Sequence, residues 1–328
     1  FIAICCRTAW DAKRQGAGDL LRGRGGDNFP GMSTRLSEAL RRGEFVVTSE
    51  IGPPKGIDVE PAMRQVEAFR DRVHAVNVTE LQSARMRLGS MAMCNQLRMR
   101  GIEPIMHVSC RDRNRLALQS DLLGAWILKI KNILALTGDH TRLGDQPAAK
   151  AVFDLDSVQL LHLIDSLNQG VDLAGKRLDG KPRFFPGAVA NPFADLRELQ
   201  IMKMRKKMDV GAQFFQTQAV FDADAFASFV EQVRTAGVET PILAGIVLLK
   251  SARMAHYMNE HIPGMRVPES LFREMEDMVG EDRRRLSVEL AARCIRRIQP
   301  LVQGVHIMAM GWEELIPDVL EQAEVPRP

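Results

Sequence analysis

The chain has 328 residues, 45% hydrophobic and 26% charged, the balance of an ordinary globular protein long enough for one large α/β domain or two small ones. Its 44 Lys and Arg against 41 Asp and Glu give a formal net charge of +3, and with aromatics at 5% and Tyr257 the single tyrosine, it lacks both the charge and the stacking platform for a nucleic-acid partner. No apolar run approaches the ~20 residues that span a bilayer, and Cys5, Cys6, Cys94, Cys110 and Cys294 form no CxxC pair, which points to a reducing, cytoplasmic setting and away from a structural metal.

Residues 1–31 mix Arg, Gly and Asp without periodicity and read as a disordered or artefactual N-terminal extension, with Met32 the natural start. A helical segment follows over Ser33–Gly43, with Ser33 or Thr34 as its N-cap. Strand and helix signals then alternate. The strand candidates are Phe45–Glu50, Ala75–Glu80, Pro104–Cys110, Ile133–Asp139, Phe184–Asn191, Ala212–Gln218, Pro241–Val247 and Gly304–Met310. Helical patterns fill Val59–Arg72, Arg85–Arg100, Asn114–Lys129, Ser157–Gln169, Pro192–Met208, Ala223–Ala236, Glu269–Met278 and Asp282–Gln299. The strands are near-continuous apolar runs, as expected of parallel strands buried on both faces. Eight of them in order predict a closed (β/α)8 TIM barrel, one domain with extra helices over residues 32–328. No GxGxxG follows the first strand, which argues against an open doubly wound sheet.

Two strand ends stand out. VTSEIGPPK breaks from β-branched residues into Glu50, and ILALTGDHT runs into Asp139. Catalytic groups of a (β/α)8 barrel sit at such C-terminal strand ends, although either carboxylate alone could equally cap the next helix. The remaining ends add Thr79, Glu80, His107, Ser109, Thr137, Gly138, Asn191, Gln216 and Gln218. No HxH or HxxxH spacing suggests a metal site, and no GxSxG elbow is present. Such a polar ring suits a flat, neutral heteroaromatic ligand such as a flavin or a pterin. Glu50, beside Pro53 and Pro54, is expected to have its pKa raised by desolvation, with Asp139 across the mouth ionised. Cys110, ending the run PIMHVSC, is read as packing.

Six motifs occur in one order: SEIGPPK with Glu50, HVSC with His107 and Ser109, ILALTGD with Asp139, KKMDVGA with Lys207, QTQAVFD with Gln218, and His306 on the closing strand. In these the chain resembles the methylenetetrahydrofolate reductases, flavin-dependent (β/α)8 barrels, from about Arg41 to Leu320. The resemblance implies an oxidoreductase of one-carbon metabolism and methionine biosynthesis. Such an enzyme reduces 5,10-methylenetetrahydrofolate to 5-methyltetrahydrofolate, hydride passing from reduced flavin to the methylene carbon after Glu50, as general acid, helps open the ring. It places Asp139 near both flavin and pterin, Gln218 against folate, and Thr79, His107, Ser109, Thr137, Gly138, Asn191 and Lys207 against the flavin. FAD is the implied cofactor with FMN the alternative, NADH and NADPH are both open as donor, and the partner is a small-molecule folate. A homo-oligomer or a subunit of a reductase complex is expected.

The chain departs from the common bacterial pattern at IGPP, which lacks an aromatic pair, at Thr137, which stands for an Arg, and at Trp312, which stands for another. In these features it is similar to the reductases of anaerobes and acetogens, and weak or absent direct reduction by NADPH, with at best modest reduction by NADH, is expected. A flavin- or folate-binding subunit fed by a partner, and a pterin-binding methyltransferase barrel, stay open as alternatives.

Overall fold

Thr34 opens the first helix with a reciprocal cap: its Oγ1 accepts from the Ser37 amide, and its own amide donates to Ser37 Oγ, both at 3.0 Å. The computed structural model describes residues 33–262 and 264–328, of which Thr34–Pro328 form one compact unit. The extension expected over residues 1–31 lies outside the described residues. The first helix, α1, spans Arg35–Arg41. After it come eight parallel strands: β1 Val46–Ile51, β2 Ala75–Val78, β3 Pro104–Ser109, β4 Asn132–Leu136, β5 Phe185–Ala190, β6 Phe214–Ala219, β7 Ile242–Val247 and β8 Gly304–Met308. Each pairs with the next, and β8 returns to β1, so the sheet closes into the expected (β/α)8 barrel.

Around it lie α2 Glu60–Glu67, α3 Ser90–Met99, α4 Arg115–Ile127, α5 Ser157–Gln169, α6 Arg197–Asp209, α7 Ala223–Thr235, α8 Ala252–His261, α9 Glu269–Glu276, α10 Gly280–Ile298 and α11 Ile316–Gln322. Helices α8 and α11 are not anticipated by the periodicity, although Ser251, which accepts from the Met254 amide, and Pro317 near the start of α11 are the start signals they carry. The helix expected from Arg85 begins only at Ser90. Leu81, Ser83 and Ala84 adopt positive φ, and the Leu88 amide is drawn to Pro54 O at 2.8 Å, so this stretch lies along the mouth instead. Likewise β4 ends at Leu136, three residues before Asp139, because Gly138 turns at φ +91 and takes residues 137–140 out of the sheet. Among the described residues, no helix is long and apolar enough to cross a membrane.

Helix α1 plugs the N-terminal end of the barrel. Leu36 and Ala39 pack with Val46, Ala75, Ile105, Leu134, Phe214 and Leu243 inside it, and Glu103 accepts from the α1 amides of Arg35 and Leu36. Burying an aliphatic side chain of this size contributes about 2 kcal/mol, so the plug leaves the opposite end as the open one. Closure also depends on Gly304. A Cβ there would stand 2.2 Å from Val46 O and 2.9 Å from a Leu243 methyl. Since the first obstacle is backbone, Gly304→Ala should lower the unfolding free energy by ~1–3 kcal/mol, the usual range for overpacking. Denaturant midpoints check this, and an unchanged midpoint would mean that the β8–β1 seam yields freely.

Candidate active site

Along a strand, residues two apart share a face, and the inward faces here form two polar tiers. The lower tier is a connected network. Gln216 and Asn77 pair amide to amide, with Asn77 Nδ2 to Gln216 Oε1 at 2.7 Å and Gln216 Nε2 to Asn77 Oδ1 at 3.1 Å. Asn77 Nδ2 also reaches His107 Nε2 at 2.9 Å, and Gln216 Nε2 donates to Thr48 Oγ1 at 3.1 Å. Thr48 Oγ1 in turn lies 3.0 Å from His306 Nδ1. Five strands thus contribute one polar side chain each, all buried. A buried network is stable only when its members are satisfied, and these largely satisfy one another.

Two residues further along each strand lies the upper tier at the mouth: Glu50, Thr79, Ser109, Gln218 and Met308. Glu50 Oε2 faces His306 Nε2 at 3.6 Å, its side chain 17% exposed and the imidazole 6%. It does not cap the next helix, whose N-cap is Val59. Burial is the largest influence on the Glu50 carboxyl and acts to raise its pKa, but the adjacent His306, with His107 adding to it, outweighs burial and leaves it below the ordinary carboxylate value. The elevation expected from the sequence is thereby corrected: the partner on β8 was not visible beside Glu50. Burial holds His107 down to about 4, His306 adding and Glu50 opposing. His107 is therefore neutral at pH 7 and accepts the Asn77 proton.

The other residues named from the sequence fall around this mouth with different freedom. Thr79 is buried, and its Oγ1 has no partner. Ser109 Oγ is 3.4 Å from Asp112 Oδ2. Thr137 Oγ1 accepts from the Ser157 amide at 3.2 Å, so its acceptor side serves the start of α5. A Cβ on Gly138 would press at 3.2 Å on both Ser109 and Arg111. Asp139 and Gln218 expose their side chains. Asn191 Oδ1 accepts from the Phe193 amide, and its amide packs so closely against Gly264 that a Cβ there would overlap it. Lys207 on α6 is buried, donates to Val189 O at 2.8 Å, and is lowered to about 8 by burial and by Lys203, with Asp156 opposing. The Cys110 thiol is buried and raised to about 12, in keeping with packing.

Three cations lie near the two positions where the sequence lacks its expected arginines. Arg111 sends a guanidinium nitrogen to Asp139 O at 3.3 Å, but its charge is paired with Asp112 at 2.8 Å. Over the Trp312 ring stand Lys250 Nζ, 4.9 Å from the centroid, and the Arg284 guanidinium at 5.2 Å. Arg284 is ion-paired with Glu314, whereas Lys250 has no carboxylate at ion-pair distance among the described residues.

The mouth carries the two kinds of surface that a flat ring would need. Val189, 36% exposed, and half-buried Leu136 supply apolar surface on the β4–β5 side, while the unpaired Thr79 hydroxyl and the exposed Gln218 amide supply hydrogen-bonding edges. A cavity of about 400 Å³ lies outside the mouth, lined by Asp222, Asp224, Arg293 and Arg297. Its arginines are paired with Glu274 and Asp224, and Asp222 caps the start of α7, accepting from the Asp224 and Ala225 amides.

The profile of the family described as methylenetetrahydrofolate reductase matches residues 35–324. The chain is 26% identical over 228 residues to Methylenetetrahydrofolate reductase 1 of Schizosaccharomyces pombe, covering 67% of this chain and 36% of that protein. To 5,10-methylenetetrahydrofolate reductase of Salmonella typhimurium it is 23% identical over 281 residues, covering 84% of this chain and 89% of the other. The chain spans about a third of the length of the first relatives it matches, 36% and 32% of two of them. An uncharacterized protein from Clostridium thermocellum, described as binding two copies of 5-methyl-5,6,7,8-tetrahydrofolic acid, has the same fold. It superposes with a TM-score of 0.59 at 14% identity, covering 88% of this chain and 98% of that one.

Proposed function

The chain belongs to the methylenetetrahydrofolate reductase family, and from that premise we propose that it reduces 5,10-methylenetetrahydrofolate to 5-methyltetrahydrofolate at the open end of its barrel. The observation that supports this most is the Glu50–His306 contact, a carboxylate at the mouth backed by a buried imidazole and anchored in a fully connected polar tier. Methylenetetrahydrofolate becomes electrophilic only when one carbon–nitrogen bond of its five-membered ring breaks, and the departing nitrogen needs a proton. Glu50 is the group on the mouth placed to deliver it.

A flavin, FAD by family habit, supplies the hydride when bound. Thr79, Ser109, Gly138, Asp139 and Lys207 would hold it, the Thr79 hydroxyl taking the hydrogen bond it lacks in the protein alone. Asn191 and Thr137 would contribute less than the sequence implies, since their side chains already serve Phe193 and Ser157. His107 sits a tier too deep to touch a ring at the rim and would act through Asn77. Gln218 is exposed for the pterin edge. We further propose that Lys250 faces the anionic end of the folate, standing in for the arginine that Trp312 replaces.

The test is direct. Purified protein should be yellow, and anaerobic methyltetrahydrofolate should bleach it; a colourless protein that still binds folate would favour the methyltransferase reading. Reduction by NADH, and weakly by NADPH, is expected of the isolated chain; reduction by neither, with folate bleaching intact, would identify a subunit fed by a partner. Asp139→Asn should raise the midpoint potential of the bound flavin, because a nearby negative charge disfavours the anionic reduced form. A redox titration measures this, and a potential equal to that of the parent would remove Asp139 from the ring.

A further inference from the structure

We infer that Arg111 is a positioning residue: it ties the turn that carries Asp139 to the loop after β2, and so fixes where the Asp139 carboxylate stands at the mouth. The inference rests on the proposed place of Asp139 beside the flavin, and goes beyond it by naming what holds it there.

Asp139 has little else to hold it. Strand β4 stops at Leu136, Gly138 turns at φ +91, and residues 137–140 are exposed. Among the described residues, the Asp139 side chain takes no hydrogen bond or ion pair, and its carbonyl has one hydrogen bond, from Arg111 Nη1 at 3.3 Å.

Arg111 is suited to this task because it does not reach the surface. Its side chain is 3% exposed, and its rigid fork of donors spreads over three segments. Nε and Nη2 each meet a carboxylate oxygen of Asp112 at 2.8 Å, Nη2 also donates to Leu81 O at 3.3 Å, and Nη1 takes Asp139 O. The bidentate carboxylate offsets the buried charge, so what remains for the two carbonyls is direction. The neighbouring arginines are engaged elsewhere, Arg113 with Glu80 and Asp121, Arg115 with Asp154.

The loop between β4 and α5 is gripped at further points. Arg111 O accepts from the Val152 amide at 2.7 Å. Midway, Gly144 presses on the backbone of Ala84 so closely that a Cβ would overlap Ala84 O. Asp145 accepts from the Met86 amide at 2.8 Å and from Lys55 Nζ at 3.2 Å. Leu81, Ser83 and Ala84 hold positive φ, a conformation that such residues keep only where their surroundings over-determine it. Arg111 at Leu81 O and Gly144 at Ala84 are those surroundings. The loops after β1, β2 and β4 thus form one rim, and Arg111 is the link that joins it to Asp139.

Replacing the pair together, Arg111→Met with Asp112→Asn, removes the tie and leaves the net charge unchanged. In the full-length chain without flavin, amide hydrogen exchange over residues 81–89 and 137–146 should quicken ~10-fold, as where hydrogen bonds to a charged group are lost and local opening eases. Strand β4 itself should stay protected. With flavin bound, the midpoint potential should rise, the direction expected for Asp139→Asn, and Asp139→Asn added to the double variant should raise it no further. Arg111→Lys keeps the charge and the contact with Asp112, but a single ammonium cannot span two loops. It should shift both readouts the same way by less, and serves if the double variant does not fold. Unchanged exchange over 137–146 would overturn the inference. So would faster exchange with a potential that stays at the parent value or that the changes raise additively, since Asp139 would then stand in place without Arg111. An Asp139→Asn potential equal to that of the parent is a different failure. It removes Asp139 from the ring, while the exchange arm, measured without flavin, still decides whether Arg111 holds the turn.

Discussion

Glu50→Gln should retain its flavin, accept electrons from the donor at the parent rate, and lose ~10²–10⁴ of its folate half-reaction, the range for a missing general acid. Glutamine keeps the size of the side chain and can still meet His306, so the tier below should stay in register. What it cannot do is release a proton. At 17% exposure the side chain opens to the mouth, and the following helix starts ten residues later from Val59 without needing it, so the substitution removes chemistry and little else. Stopped-flow measurement of each half-reaction separates the two effects. Folate turnover equal to the parent would sink the assignment. Loss of flavin would mean that the carboxylate shapes the mouth more than it serves the reaction.

The architecture was open to reading in the sequence because barrel strands are repetitive: each is an apolar run, and each follows a helix. Every strand candidate overlaps an observed strand, and the two carboxylate-bearing ends lie at the open end. Boundaries slipped where tertiary contacts override local pattern. Residues 85–89 carry helical composition but run extended, with the Leu88 amide bound to Pro54 O across the mouth. Helix α8 was missed because its apolar stripe, Ala255 and Met258 among exposed polar residues, is short, and its packing is with a Met-rich cluster formed by distant segments.

The polar strand ends could be named from the sequence, but the network that joins the residues beneath them could not. Thr48 and Asn77 look unremarkable in strands of otherwise apolar or small residues, and a polar residue in a buried strand is the signal that could have marked them; Gln216 is named from the sequence, but as part of the mouth and not of the tier below it. The direction of the Glu50 shift depended on His306, more than 250 residues away in sequence, so burial alone misled. The same holds at Trp312, where a missing arginine reads as lost charge until Lys250 and Arg284 converge on the ring.

The buried histidines also set how the protein responds to acid. His107 is neutral in the folded protein down to about 4, whereas an ordinary histidine protonates at 6.5. Below pH 6.5 the unfolded chain therefore binds a proton that the folded chain refuses, and folding stability falls as pH drops from about 6.5 to about 4. For one fully buried group shifted this far the loss is about 3 kcal/mol. His74, also lowered to about 4 by burial, with Arg35 adding and Glu44 opposing, acts in the same direction; its Nδ1 accepts from the Val47 amide at 3.1 Å and would give up that bond on protonation. Glu50, held low, adds stability above the ordinary carboxylate value that is lost as pH falls through its own. All three effects weaken the fold in acid, against a typical domain stability of about 5–15 kcal/mol. Chemical denaturation between pH 7.5 and pH 4, at fixed salt, should show the midpoint falling steeply below pH 6.5. In His107→Gln, whose amide oxygen can still accept from Asn77, that fall should be shallower by about 3 kcal/mol, because one of the refused protons is gone. Parallel curves for the two proteins would show that His107 takes up its proton in the folded state after all, and that the tier around Asn77 opens to admit it.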